Sequence, residues 1–267
     1  MFQKTGYILF FSLVIALSSC TSKFQKLLKS TDNDLKYEKA IELFEQEDYY
    51  RAEQLISQLM AVYRGTDKAE KLFYYYAYCY YNQKDYLMAS YYFNKYANTF
   101  PNSEEAEESL FKCAYCYFLD SPKYNLDQSN TYEAINEFQL FVNKYPKSER
   151  VKECNNLIDD LRSKLEMKAF NIAKLYYKMN DYQAAVVSFN NILVDFPDTE
   201  HKEEILFYIL KSNYFYAIHS IFEKQKDRHR EVIESYKDLV VLYPESKYFD
   251  DASKMHKTSL KEVIKFK

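Results

Sequence analysis

Four prolines of this chain follow an aromatic residue and share one register: Phe100-Pro101, Tyr145-Pro146, Phe196-Pro197 and Tyr243-Pro244. Twelve residues before them stand Ala89, Ala134, Ala185 and Val232, and eight before them Phe93, Phe138, Phe189 and Tyr236. Tyr86 and Tyr182 precede their prolines by fifteen. A weaker first copy has Arg64 in the proline's place, with Tyr49, Ala52 and Ile56 at the matching positions. Two residues past the proline position come Thr66, Ser103, Ser148, Thr199 and Ser246. An internal repeat constrains the fold more than composition does, because one copy cannot bury its apolar face without the next.

Each unit reads as a pair of helices. A small alanine lets two helices approach, and the aromatic four residues later lies on the same face and fills the space between them. Proline ends the second helix, and a Ser or Thr just beyond can accept from the unpaired N–H groups of the next one. Upstream segments supply the first helix of each pair: Ala40–Phe44, Ala77–Tyr81, Ala114–Phe118, Ala173–Tyr177 and Ser212–Tyr216. Only two glycines and five prolines occur in 267 residues, which leaves little material for hairpins. A helix pair with Ala, aromatic and Pro at these spacings resembles the tetratricopeptide repeat. That resemblance implies an all-α superhelix of five helix pairs over residues 34–246, followed by a C-terminal cap helix.

The spacing is not uniform. Twelve residues separate the paired small positions in repeats one, two and four, but twenty separate Ala114 from Ala134 and Ser212 from Val232. Repeats three and five are therefore expected to carry eight-residue insertions, the first being the loop-like stretch 120–131. Ser148 to Ala173 is fourteen residues longer than Ser103 to Ala114, with no Gly or Pro from Lys147 to Phe196, so repeat four is expected to open with an extended helix. The seam falls there: repeats one to three at 34–147, repeats four and five with the cap helix at 148–267.

At the start of the chain, Lys4 precedes an apolar run, Tyr7–Leu17, which ends in Leu17-Ser18-Ser19-Cys20. The run is too short for a permanent membrane span and has the anatomy of a secretory signal. Leu-Ser-Ser-Cys resembles the bacterial lipobox, which implies a signal peptide at 1–19, cleavage before Cys20 and acylation of its thiol and new amine. Residues 20–33 then form a lipid-anchored linker. Thr21, rather than Asp, after the cysteine favours the outer membrane, periplasmic side.

The chemistry expected of such a chain is binding, not catalysis. A net charge of −3 with interspersed signs offers nucleic acid no electrostatic footprint. His201, His219, His229 and His256 have no metal-ligand spacing, and no phosphate loop or nucleophile elbow occurs. No enzyme activity, metal or cofactor is therefore expected. Cys113-x-x-Cys116 lies within a repeat helix, where packing is the better reading; pairing among Cys79, Cys113, Cys116 and Cys154 stays open.

Solenoids bind along their concave face, which the first helix of each tetratricopeptide pair lines. Positions three before, one after and four after the small residue face that groove. They hold Tyr37, Ile41 and Phe44; Tyr74, Tyr78 and Tyr81; Phe111, Tyr115 and Phe118. Tyrosine offers an apolar body and a polar tip, suited to extended peptides in a wet groove.

A lipobox, a short linker, five such repeats and a cap helix resemble the BamD family of outer-membrane β-barrel assembly lipoproteins. The most specific local likeness is Leu126-Asp-Gln-Ser-Asn-Thr131 followed by Ala134, Phe138, Phe141 and Tyr145-Pro-Lys-Ser148. The resemblance implies a lipid-anchored scaffold, with N-terminal repeats recognising unfolded outer-membrane proteins and C-terminal repeats docking the barrel-forming subunit. Lys254, Lys257, Lys261 and Lys265, with Lys267, are candidate contacts to an acidic partner surface. Two other readings remain: a lipid-anchored adaptor for cell-envelope or peptidoglycan maintenance, and a nutrient-binding lipoprotein, which the absence of tryptophan disfavours.

Overall fold

The structure, a computed structural model, describes residues 23–265; the signal segment, Cys20 and Lys267 lie outside them. All regular structure among the described residues is helical. A short helical stretch, 23–28, leads into α1 (Asn33–Glu45), α2 (Tyr49–Val62), α3 (Asp67–Asn82), α4 (Tyr86–Thr99), α5 (Ala106–Asp120) and α6 (Ser129–Lys144). Then follow α7 (Val151–Lys178), α8 (Tyr182–Asp195), α9 (Lys202–Ile218), α10 (Phe222–Leu242) and α11 (Phe249–Lys265). Helices adjacent in sequence pack together from α1 to α6 and from α8 to α11. Two compact units divide the chain: one reaches Pro122 and resumes at Gln128–Ile158, the other comprises Lys123–Asp127 and Asp159–Lys267. The division falls inside α7, an unbroken helix of 28 residues.

The repeat register is a packing register. Ala40, Ala52, Ala77, Ala89, Ala114, Ala134, Ala173, Ala185 and Val232 are all fully buried. Ile56, Phe93, Phe138 and Phe189, four residues further on, are fully buried too. Each such side chain removed from water contributes about 1.5–3 kcal/mol. Tyr236, the fifth of the series, is half-buried and stacks on His256 at 4.1 Å between ring centres. α4, α6, α8 and α10 each end two residues before their proline, since the residue preceding proline is driven out of helical backbone.

In repeats one, two and four the two helices meet in one kind of turn. Glu47, Lys84 and Asn180 take left-handed backbone, with φ of 60°, 64° and 63°. The following Asp48, Asp85 and Asp181 cap α2, α4 and α8, accepting from the N–H groups of Arg51, Met88 and Ala184. The left-handed residue reverses the chain, and the aspartate then satisfies an N–H the new helix cannot pair internally.

The two insertions fold differently. In repeat three the extra residues form a loop between Asp120 and Ser129, with Gln128 and Thr131 buried and hydrogen-bonded to each other at 2.7 Å. In repeat five there is no comparable loop: α9 ends at Ile218 and α10 starts at Phe222. Residues 222–230 are mostly Lys, Arg, Glu and Gln, good helix formers, and they extend α10 instead.

The register of α9 also corrects the sequence reading. Eleven residues separate Thr66 from Ala77 and Ser103 from Ala114, and the same step from Thr199 reaches Leu210, fully buried, not Ser212. Ser212 instead matches the buried Cys79 and Cys116, two residues past the small position. Counted from Leu210, the insertion in repeat five is ten residues, not eight.

Candidate functional site

Within the first unit, α3 and α5 carry a continuous aromatic strip. On α3, Tyr74 and Tyr78 meet at 4.8 Å between ring centres and Tyr78 and Tyr81 at 6.1 Å. On α5, Phe111, Tyr115 and Phe118 stack in succession at 5.7 and 5.6 Å. These spacings follow from placing rings three and four residues apart on one helix face.

The two rows are joined by a cation. The Lys112 ammonium lies 4.5 Å from the Tyr81 ring centre, 5.7 Å from Tyr115 and 6.0 Å from Tyr78. Each contact is within range of attraction by the ring quadrupole. The hydroxyl tips are organised too: Tyr74 donates to Tyr78 at 3.3 Å, and Tyr78 donates to Glu108 at 3.4 Å. Glu108 pairs with Arg150, whose guanidinium sits 4.2 Å over Phe111. Burial, then the neighbouring Tyr74, pushes the Tyr78 phenol up; burial does the same for Tyr81. The strip therefore presents neutral hydroxyls beside one ammonium.

The nine groove candidates do not play equal parts. Tyr74, Tyr78, Tyr81, Tyr115 and Phe118 are half-buried, with ring surface left for a ligand. Phe111 is only 2 % exposed, wedged between Arg150 and the rings of Phe138 and Phe141. It forms the floor of the strip and not its surface. Phe44 stacks at 3.9 Å on Tyr75, the neighbour of Tyr74. Tyr37 belongs to a separate group with Tyr63 and Lys68, at 5.7 and 4.7 Å. Ile41 is half-buried on α1.

Charged groups at the strip were missed in the sequence. Lys112 lies two residues before Ala114 and Arg150 two after Ser148, offsets that were visible but carry no meaning before the helices are packed. The second unit repeats the theme. At the positions three before, one after and four after Ala173 stand Phe170, Lys174 and Tyr177; around Leu210 stand Phe207, Lys211 and Tyr214. The Lys174 ammonium is 4.9 Å from the Phe170 ring and pairs with Glu204 at 3.0 Å, while Lys211 is 5.3 Å from Tyr177. Lysine thus replaces the isoleucine or tyrosine of the first three repeats.

The candidate docking lysines line one exposed side of α11. Lys254 pairs with Asp251 at 3.3 Å and Lys265 with Glu262 at 2.7 Å; Lys257 and Lys261 are exposed on the same side. Ala252 and Ser259 face the interior. Among the described residues no three or more His, Cys, Asp or Glu side chains gather where they could hold a metal ion, and no helix is long and apolar enough to cross a membrane.

Comparison with known proteins matches residues 29–227 to a protein-family model described as YfiO, outer membrane lipoprotein. Among curated proteins, the outer membrane protein assembly factor BamD of Rickettsia prowazekii (strain Madrid E) is 24 % identical over 133 residues. That alignment covers 50 % of this chain and 49 % of the relative, so the chain spans about half the length of the curated protein it matches. With its helix pairs in register and a family match that runs from residue 29 through the first four pairs and into the fifth, the chain belongs to the YfiO family of outer membrane lipoproteins.

Proposed function

We propose that this chain is a lipid-anchored scaffold for outer-membrane protein assembly, with no chemistry of its own. Cys20 carries the anchor. The strip of Tyr74, Tyr78, Tyr81, Tyr115 and Phe118 holds extended, aromatic-rich segments of unfolded outer-membrane proteins. The lysine face of α11 docks an acidic surface of the barrel-forming subunit. The observation that carries this reading is Lys112 set among three partly exposed tyrosine rings. Such a surface can stack a partner's rings and also receive a carboxylate, the two features of an aromatic chain end. Family membership and the relative's printed role in outer membrane protein assembly point the same way.

The test is photo-crosslinking in intact envelopes, with one probe at Tyr115 and another at Lys257. Unfolded outer-membrane precursors at the first and a barrel-forming protein at the second are the expected products. Division or peptidoglycan enzymes at both positions, with no barrel protein at either, would replace this reading with that of an envelope adaptor.

A further inference from the structure

Residues 23–28 are part of the fold rather than a loose tether. Residues 23–28 form a helical turn and a half, closed by the N–H of Lys29 donating to Gln25 O and that of Ser30 to Leu27 O. Phe24, Leu27 and Leu28 pack against the core formed by α1, α2 and α3. The Arg51 guanidinium of α2 lies 5.7 Å from the Phe24 ring centre. The end of the stretch is held by a buried cation: Lys36, only 6 % exposed, donates to Leu28 O at 3.0 Å and to Gln58 Oε1 at 2.8 Å. A lysine so far from water is costly unless its donors are satisfied; here one holds the end of the stretch and another ties α1 to α2.

The opposite side of the stretch is basic. Lys23, Lys26 and Lys29 recur every third residue, and all three are exposed. Nearby acidic groups are engaged elsewhere: Asp32 caps α1, Asp34 pairs with Lys68 at 2.7 Å, and Glu42 pairs with Lys39. Cys20 precedes Lys23 by three residues, a chain length of at most about 11 Å. An acyl chain on Cys20 would therefore keep the near end of this lysine row about one Debye length from the bilayer surface.

We propose that Lys23, Lys26 and Lys29 form a membrane-contact surface for anionic phospholipid headgroups, which fixes the first repeat against the bilayer. The inference rests on the anchoring of Cys20 and adds an orientation to it. Lipid attachment alone leaves a domain free to swivel; a rigidly docked basic stretch beside the attachment point does not.

The acylated full-length protein is reconstituted into vesicles of neutral phosphatidylcholine, or of phosphatidylcholine with about 30 % phosphatidylglycerol. Surface lysines are then labelled with an amine-reactive reagent and quantified by mass spectrometry. Labelling of Lys23, Lys26 and Lys29 is expected to fall about threefold in the anionic vesicles and to recover in about 0.5 M salt. Lys254 and Lys257 serve as controls and should not change. Equal labelling in both vesicles, with Cys20 acylated in the same spectra, would overturn the contact surface and leave the anchor standing. A Cys20 without acyl chains would overturn the anchor and this inference together.

Discussion

Ser246 donates its hydroxyl to Glu203 Oε1 at 2.6 Å, tying the residue that opens α11 to the first turn of α9. Ser148 makes the same bond to Glu107 at 2.5 Å, and Thr199 makes it to Glu166. In each case the glutamate stands seven residues before the small position of its helix, at Ala114, Ala173 or Leu210. Glu70, seven before Ala77, reaches Ser103 through the Tyr96 hydroxyl, 3.1 Å from Glu70 and 2.7 Å from Ser103. The same Ser or Thr oxygen accepts the N–H two residues on, from Glu105, Arg150, His201 and Tyr248. Thr66 departs from the pattern and donates to Tyr63 O instead. One hydroxyl thus starts a repeat and clips it to an earlier helix.

Removing the Ser246–Glu203 clip destabilises the second unit. Ser246→Ala and Glu203→Ala are each expected to cost about 1–2 kcal/mol, as for a partly buried bond to a charged acceptor. In urea unfolding of the two single variants and the double, the losses should not add, leaving a coupling of about 1 kcal/mol. Fully additive losses would mean that the bond carries no energy of its own.

Lys84 pays for its left-handed backbone. At φ 64° a side chain crowds the following carbonyl, and glycine does not. Lys84→Gly is expected to raise stability by about 0.5–1 kcal/mol despite the entropy of glycine. Asn180→Gly should gain less, because asparagine tolerates this region better. Denaturant midpoints of the two variants check both statements, and a loss at Lys84 would contradict them.

Glu137 has its carboxyl raised by burial; the Cys113 thiol donates to it, and Glu133 adds repulsion. The folded state therefore holds the proton more tightly than the unfolded one. The cost of ionising Glu137 is present at neutral pH and disappears as pH falls to its unfolded value of 4.5. Glu137→Gln should stabilise the first unit at pH 7 and make no difference in acid, as read from unfolding curves across that range.

His229, 2 % exposed, faces the Ser259 hydroxyl at 3.0 Å across α10 and α11. Burial holds its pKa below 6.5; Glu262 opposes that shift and Lys265 adds to it. A depressed folded pKa gives stability that is complete above 6.5 and is lost as pH falls through the folded value. Weakening of the interaction between α10 and α11 in acid should appear as a midpoint that falls as pH is lowered below about 6.5. His229→Gln should flatten that fall without abolishing it, because His256 is also held low by burial and by Lys237 and Lys257.

Cys79, Cys113, Cys116 and Cys154 are free thiols, each at most 1 % exposed. Burial pushes Cys79 and Cys116 up to about 12 and Cys154 up to about 11, and Cys113 well above its usual value. Thiolates are the reactive form, so the native protein should not react at these four positions with a disulfide reagent at neutral pH. All four should react once it is denatured. A reducing agent should leave the unfolding midpoint unchanged; a shift would show a disulfide.

The small residues and aromatics of the repeat were legible because their roles are steric and local. Ala89 and Phe93, or Ala185 and Phe189, lie one helical turn apart on the same face whatever packs against them. Proline stops a helix without help from the rest of the chain. Repeat five was misread because Ser212 looks like the small residue the pattern asks for, while the position belongs to Leu210. The eleven-residue step from Thr199 already leads to Leu210, and the burial of Leu210 and the Glu203 clip make the two-residue shift plain.

The sequence by itself determined the helix pairs, their ends and the buried alanines, since these follow from backbone sterics and a period of 3.6 residues. Tertiary structure decided the rest. Phe111 and Tyr115 both stand at groove positions of α5, yet Arg150 at the start of α7 covers the first and leaves the second open. Lys112 is one more surface lysine until α5 packs beside α4 and brings it over Tyr81. Lys36 is one charge on α1 until residues 23–28 fold back on it. Exposure, charge pairing and clips between repeats depend on residues as many as 43 positions away, and no local pattern encodes that distance.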